Sequence, residues 1–220
     1  LGGSGGFDKT GSATLTLTGA STYTGVTTVA AGFITAGNNS ALGASGAGNG
    51  TVVSSGGRVS LNNGVVITGE TLSITGDGGG NGALQAVAGA TGTWDGAVTT
   101  TGATRLGSQT GGNLIVNGNI DATAGNVTVR SAGTNLSSAT DFDSTVVTLG
   151  GTYTGAQLIL FQGVVKLGAS DRIQDTAVMT FGTGTSDSIK QRFDLNGFNE
   201  TVAAVVVSGT AASNTHEITN

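Results

Sequence analysis

Short bursts of alternating apolar and hydroxyl residues, each closed by glycine or asparagine, recur along the whole chain and leave no room between them for a helix of ordinary length. The first are ATLTLTG at 13–19, VTTVAAGFITAG at 26–37, GTVVSSGGRVSLNNG at 50–64 and VVITGETLSITG at 65–76. The pattern runs on through GALQAVAG at 82–89, GNLIVNGNI at 112–120, GNVTVRSAG at 125–133 and STVVTLGG at 144–151. It ends with AQLILFQGVVKLGAS at 156–170, AVMTFG at 177–182, RFDLNG at 192–197 and TVAAVVVSG at 201–209. A period of two turns one side of each segment to a core and the other to solvent, which is the pattern of strands. Glycine-rich chains often stay disordered because they bury too little apolar surface to offset ordering entropy. Here the regular apolar positions and a mean hydropathy of +0.16 argue for order instead.

Many short strands without helices are compatible with a sandwich, a barrel or a solenoid. Three features favour the solenoid. The connections are built from Gly, Asn and Ser, with 41 glycines and no proline in 220 residues. The outward positions carry Thr, Ser and Asn rather than Lys and Glu, and such β-branched and hydroxyl residues stack well above like residues on a pleated surface. The chain also repeats itself at long range, the mark of a stacked array. GASTYTGVTTVAAGFITAGNNSALG at 19–43 aligns without a gap on GGTYTGAQLILFQGVVKLGASDRIQ at 150–174, so that Tyr23 matches Tyr153. This places one continuous solenoid over 1–220, with repeat units of about 11–143 and 144–220.

At this point the residues resemble a known family, the autotransporter-associated β-strand repeat, or passenger-associated transport repeat, of bacterial surface proteins. GSATLTLTGASTYTGVTTVAAGFITAG at 11–37 carries the likeness: an amphipathic strand, the Tyr-Thr-Gly turn, then two further strands. TLSITGDGGGNGALQAVAGATGTWDGAV at 71–98, GGNLIVNGNI at 111–120 and RFDLNGFNETVAAVVVSG at 192–209 are similar to the modules between such repeats, Leu195-Asn196-Gly197-Phe198 marking a strand and a turn. The second copy departs from the pattern at 156–165, whose apolar AQLILFQGVV implies cover by a loop or a neighbour. The resemblance implies an all-β, right-handed parallel β-helix, open at both ends, within a longer exported passenger. With coils of about 20 to 25 residues rising about 4.8 Å each, it would span on the order of 45 Å. The strand-like HEITN at 216–220 is read as the start of another coil of a longer chain.

The composition also bounds the chemistry. A formal charge of −5 and no basic cluster in the sequence argue against nucleic acid, whose phosphates call for grouped Lys and Arg. No cysteine and a single histidine, His216, leave neither a Ser/His/Asp triad nor the usual zinc ligands, so no cofactor, metal or catalytic residue is expected. No apolar run reaches the roughly 18 residues of a membrane span. GDGGGNG at 76–82 lacks the lysine and helix of a phosphate loop and the periodicity of a calcium-binding roll, and reads best as a tight turn.

One charged district remains: Lys166, Asp171, Arg172, Asp175, Asp187, Lys190, Arg192, Asp194 and Glu200. Carbohydrate-active β-helices gather carboxylates in a groove, so Asp171, Arg172 and Asp175, together with Trp94 as a stacking platform, are the candidate ligand contacts. Solvated ion pairs at coil ends are the competing explanation. Tyr23 and Tyr153, at equivalent repeat positions, are expected to pack in turns with their hydroxyls bonded to backbone. The Thr14, Thr16, Thr18 row would suit ice or a crystal surface only if it continued from coil to coil. The expectation is a non-catalytic structural or adhesive module at a bacterial surface, meeting surface glycans, host or neighbouring-cell surfaces, or copies of itself. The alternative is a carbohydrate-binding or polysaccharide-processing β-helix.

Overall fold

A computed structural model describes residues 1–46, 48–132, 144–182, 190–208 and 215–220. Every element in it is a strand, and every pairing is parallel. Followed along the chain, the coils are β1 (Phe7–Lys9) and β2 (Thr14–Leu17), then β3 (Thr27–Val29) and β4 (Gly32–Ala36), then β5 (Thr51–Val53), β6 (Gly57–Leu61) and β7 (Val66–Ile67). Next come β8 (Leu72–Gly76), β9 (Leu84–Ala86) and β10 (Thr91–Trp94), then β11 (Val98–Gln109) and β12 (Asn113–Val116), then β13 (Ile120–Asp121), β14 (Val127–Ala132) and β15 (Val146–Leu149). The last coils hold β16 (Tyr153–Thr154) and β17 (Gln157–Leu167), β18 (Val178–Phe181) and β19 (Lys190–Asp194), and finally β20 (Ala204–Val207) and β21 (Thr215–Thr219).

The strands stack into three ladders that enclose the core, the parallel β-solenoid that the Gly, Asn and Ser connections and the outward hydroxyl residues favour over a sandwich or a barrel. Ladder one runs β1, β3, β5, β8, the start of β11, β13 and β16, and closes on a bridge from Tyr153 to Ile173. Ladder two runs β2, β4, β6, β9, the end of β11, β14, the start of β17, β18 and β20. Ladder three begins at β7 and continues through β10, β12, β15, the end of β17, β19 and β21. β11 and β17 each turn a corner, so one long strand serves two ladders.

The inward residues stack on like residues. Ile34, Val59, Leu84, Leu106, Val129, Leu160 and Phe181 form one unbroken column of ladder two, and all are buried. A parallel stack of this kind satisfies every ladder amide along the axis while it packs apolar side chains inside. The coil length follows from the register: Phe7 lies under Thr27, Thr27 under Thr51, Thr51 under Leu72, Leu72 under Val98 and Val98 under Ile120. The step from Ile120 to Tyr153 is longer than the rest. At the last rung of ladder two, Val205, Val206 and Val207 of β20 are exposed.

The corner between ladders three and one shows why glycine recurs. A Cβ on Gly118 would stand 1.7 Å from the carbonyl oxygen of Gly96, and one on Gly96 would stand 1.7 Å from that of Glu70. Each coil thus rests its corner directly on the backbone of the coil before it. The Asn196-Gly197 turn agrees with its sequence signature. Both residues have positive φ, 54° and 81°, and Phe198 N–H donates to Leu195 O at 2.9 Å, the arrangement an Asn-Gly pair favours.

The aligned segments at 19–43 and 150–174 are local copies set on different faces. Thr27–Val29 belongs to ladder one and Gly32–Ala36 to ladder two, whereas the matching Gln157–Leu160 lies in ladder two and Gly163–Lys166 in ladder three. The local likeness is nonetheless structural. Tyr23 and Tyr153 are both buried, and each hydroxyl reaches four residues on, to Thr27 Oγ1 at 2.6 Å and to the Gln157 carbonyl. Only Tyr153 meets backbone; the Tyr23 hydroxyl donates to Thr27, whose own proton goes to Leu42 O at 2.9 Å.

Candidate functional site

The charged district divides between two places. On the outer side of ladder three, register stacks Lys166 against Asp194 and Arg192 against Glu217, giving ion pairs of 3.9 and 2.7 Å. Around the neighbouring corner, Asp171, Arg172 and Asp175 join Thr152, Thr154, Gln174 and Thr176 along a shallow groove of about 430 Å³. Asp187 lies outside the described residues.

The groove is built by backbone. Asp171 sits in the left-handed region at φ 54°, a conformation that aspartate tolerates better than most residues, and its N–H donates to Asn199 O at 3.0 Å. The carboxylate of Glu200 accepts the N–H groups of Arg172 at 2.7 Å and Ile173 at 3.2 Å. Burial raises the Glu200 pKa, and those backbone hydrogen bonds pull against the rise. Arg172 spends its guanidinium on the corner, donating to Ser170 O at 2.9 Å and to Gly150 O at 3.3 Å. Asp171 and Asp175 are left exposed along the groove, beside the hydroxyls of Thr154 and Thr176. Such a wall presents acceptors and hydroxyls to a polar ligand.

Trp94 is absent from this surface. Its exposure is 0%, and it stacks in ladder three between Ile67 and Val116. The alternation Thr91-Gly92-Thr93-Trp94 places Gly92 and Trp94 on the same inward side. Gly92 has no room for a side chain, since a Cβ there would come within 2.4 Å of Leu61 Cβ, so Leu61 fills the inward space beside Gly92 on the strand that carries the indole. Trp94 is therefore a core residue and offers no stacking platform. The Thr row also breaks, because Thr14 is followed in register by Phe33 and then by Arg58. His216 is half-buried near the chain end, bonded to Gln191 and edge-on to Phe181 at 5.9 Å, and burial lowers its pKa. Among the described residues no group of three or more His, Cys, Asp or Glu side chains gathers to hold a metal.

The glycine loop at 76–82 is a turn whose amides face inward. Gly80 and Gly82 donate to Asp77 O at 3.1 and 2.9 Å, and Gly79 donates to Asp77 Oδ1 at 3.1 Å. Its carbonyls face out and meet arginines instead: Arg58 on Gly78 O at 3.1 Å, and Arg105 and Arg130 on Gly80 O at 2.8 Å each. The absence of a basic cluster in the sequence is thus corrected by the fold, which draws three dispersed arginines to one loop. Their spacing was the available signal, since 58, 105 and 130 are separated by about two coils and one coil. The outward apolar Phe161 of the second repeat lies beneath them, with Arg130 at 5.4 Å and Arg105 at 5.9 Å from its ring centre.

One buried acid also escaped the sequence analysis. Glu70, 2% exposed, accepts the Thr51 hydroxyl at 2.7 Å, and burial pushes its pKa up to about 7. It stands beneath a hollow lined by Ser21, Asn39, Ser40, Ser45 and Thr68. Nothing in the segment ITGETLS sets this glutamate apart from an exposed one.

An all-parallel solenoid with a sparsely charged exterior and a polar groove defines an elongated repeat protein rather than a compact globular domain. The family model of the passenger-associated transport repeat matches residues 7–36, the stretch from β1 to β4. Those residues form such a repeat, as the Tyr-Thr-Gly turn and its flanking strands led us to expect. No curated protein and no solved structure matches the chain. The repeat and the solenoid together fit an autotransporter passenger.

Proposed function

We propose that this chain is a rod-like structural and adhesive segment of an exported passenger, working without catalysis at a bacterial surface. The observation that carries this reading is the run of three parallel ladders around one apolar core, with Thr, Ser, Asn and Gly over much of the outside. Such a stack transmits load along its axis through backbone hydrogen bonds and exposes few sites for proteolysis. The pairing of Lys166 with Asp194 and of Arg192 with Glu217 supports structural roles for those charges. The groove at Asp171, Arg172 and Asp175 is the proposed contact with surface glycans.

The test is a glycan array and a panel of bacterial and host-like cells probed with the labelled chain, with the supernatants assayed for released sugar. Saturable binding that weakens in Asp171→Ala/Asp175→Ala, with no sugar released, is the expected result. Release of sugar would replace the adhesive reading with an enzymatic one.

A further inference from the structure

The chain has eight lysines and arginines against thirteen acids, and three of the eight meet at a single loop. The order along ladder two is specific. Phe33 pairs in register with Arg58, and the next rung carries Ala83, at the foot of the glycine loop. Arg105 follows in the same column on the rung above, whereas Arg130 stands two residues along the next rung, opposite Gly107, and Phe161 sits at the register shift of the rung after that. At about 4.8 Å a rung, the row from Phe33 to Phe161 spans roughly 24 Å parallel to the rod axis. The Arg58 guanidinium lies over the Phe33 ring at 3.6 Å, while Arg105 and Arg130 lean over Phe161.

The charges in this row are poorly balanced. Asp77 is the one acid that pairs there among the described residues. It reaches only Arg105, at 3.7 Å, and its side chain is 57% exposed. The hydrogen bonds that hold the arginines end on neutral carbonyls, two of them on the same oxygen of Gly80. Each guanidinium has five N–H donors in a planar fork suited to carboxylate or sulfate oxygens. Nη1 of each arginine is spent on those carbonyls, and Nε of Arg58, Arg105 and Arg130 is buried without a partner, out of reach of a surface ligand, so the remaining Nη donors are those open to a polymer. Two guanidinium groups converging on one carbonyl repel each other, which is a cost for a clasp that a single arginine would close. An anion lying over the loop would turn the same convergence into attraction.

We infer that the row Arg58, Arg105 and Arg130 around the glycine loop is a binding strip for an acidic polysaccharide lying along the rod, its carboxylate or sulfate groups engaging the guanidinium forks. The strip is short and the chain as a whole is negative, so a sparsely charged polymer fits and a densely charged one such as nucleic acid is repelled. The strip deepens the adhesive reading, but it stands apart from the Asp171 groove.

The experiment is biolayer interferometry of the full chain against immobilised hyaluronan, a sparsely substituted dextran sulfate, neutral dextran and single-stranded DNA over a series of salt concentrations. The variants are Arg105→Gln/Arg130→Gln, Arg105→Lys/Arg130→Lys and Asp171→Ala/Asp175→Ala, with thermal unfolding recorded for each. Binding to hyaluronan or dextran sulfate, but not to neutral dextran, is expected to weaken by roughly tenfold per arginine removed and to show a shallower salt dependence. The lysine variant should keep part of the affinity. Comparison of the two acidic polymers shows whether carboxylate or sulfate is preferred. Undiminished binding by a folded glutamine variant would overturn the inference and leave the arginines as a clasp on the loop. So would equal binding to DNA, or no binding to either acidic polymer at low salt. A loss seen only in the groove variant would overturn the strip while leaving the proposed function intact.

Discussion

Replacing Glu70 with glutamine should stabilise the solenoid above neutral pH and leave it nearly unchanged at pH 4. The carboxyl is 2% exposed, and its one described hydrogen bond comes from a neutral hydroxyl, that of Thr51. No Lys or Arg pairs with it among the described residues. Desolvation is the main cause of its raised pKa, from 4.5 to about 7, with the Thr51 hydrogen bond acting in the opposite direction. A carboxyl whose folded pKa lies above its unfolded one binds more protons when folded, so stability falls as pH rises. The contribution is whole below pH 4.5, declines between about 4.5 and 7, and is lost above that. At about 1.4 kcal/mol per unit, the shift corresponds to a loss of about 3 kcal/mol by pH 8. Glutamine keeps a carbonyl for the Thr51 hydroxyl and has no charge to desolvate. Urea unfolding of both proteins at pH 4, 6 and 8 should show midpoints that coincide in acid and diverge towards alkaline pH, with Glu70→Gln the more stable. Parallel pH profiles would refute the reasoning, because they would mean that burial leaves this carboxyl unperturbed.

Other substitutions probe the same packing. Thr51→Val removes the donor that favours the ionised form, so the loss of stability with pH should begin at lower stability and centre on a higher pH, measured by the same titrations. Trp94→Ala should cost about 3–5 kcal/mol in urea unfolding while leaving glycan binding untouched, since the indole has no exposed surface. Gly118→Ala sets a Cβ 1.7 Å from the Gly96 carbonyl oxygen and should cost about 3 kcal/mol or more, read as a fall in unfolding midpoint. Gly197→Ala, at φ 81°, should cost about 1 kcal/mol, seen as faster amide exchange around the Leu195–Phe198 turn.

Much of the architecture was legible because its information is local. Alternation along GRVSL at 57–61 or NLIV at 113–116 assigns the inward side without knowledge of the partner strand, and the structure buries Val59, Leu61, Leu114 and Val116 as that pattern requires. The Asn196-Gly197 turn was legible for the same reason, since positive φ is a property of those residues and not of their neighbours in space. The candidate site was less legible. Asp171, Arg172 and Asp175 do share a groove, but Arg172 is largely committed to the carbonyls of Ser170 and Gly150. Trp94 satisfied the sequence criterion for a binding aromatic as well as for a core residue. The decision rested on Ile67 and Val116 on the rungs below and above it and on Leu61 of a neighbouring ladder packed against Gly92, residues that only the coiling brings together.

The sequence by itself determined the period-two strands, the glycine and asparagine corners, the solenoid they imply and the transport repeat at 7–36, because each depends on residues close together in the chain. The tertiary structure alone decided the face on which each copy falls, so that the segments matched at Tyr23 and Tyr153 sit one ladder apart. It also decided that Glu70 is buried and that Arg58, Arg105 and Arg130 meet at one loop. The reason is geometric. Coils of unequal length, from the step between Phe7 and Thr27 to that between Ile120 and Tyr153, feed the same columns, so separation along the chain does not by itself say which residues stack.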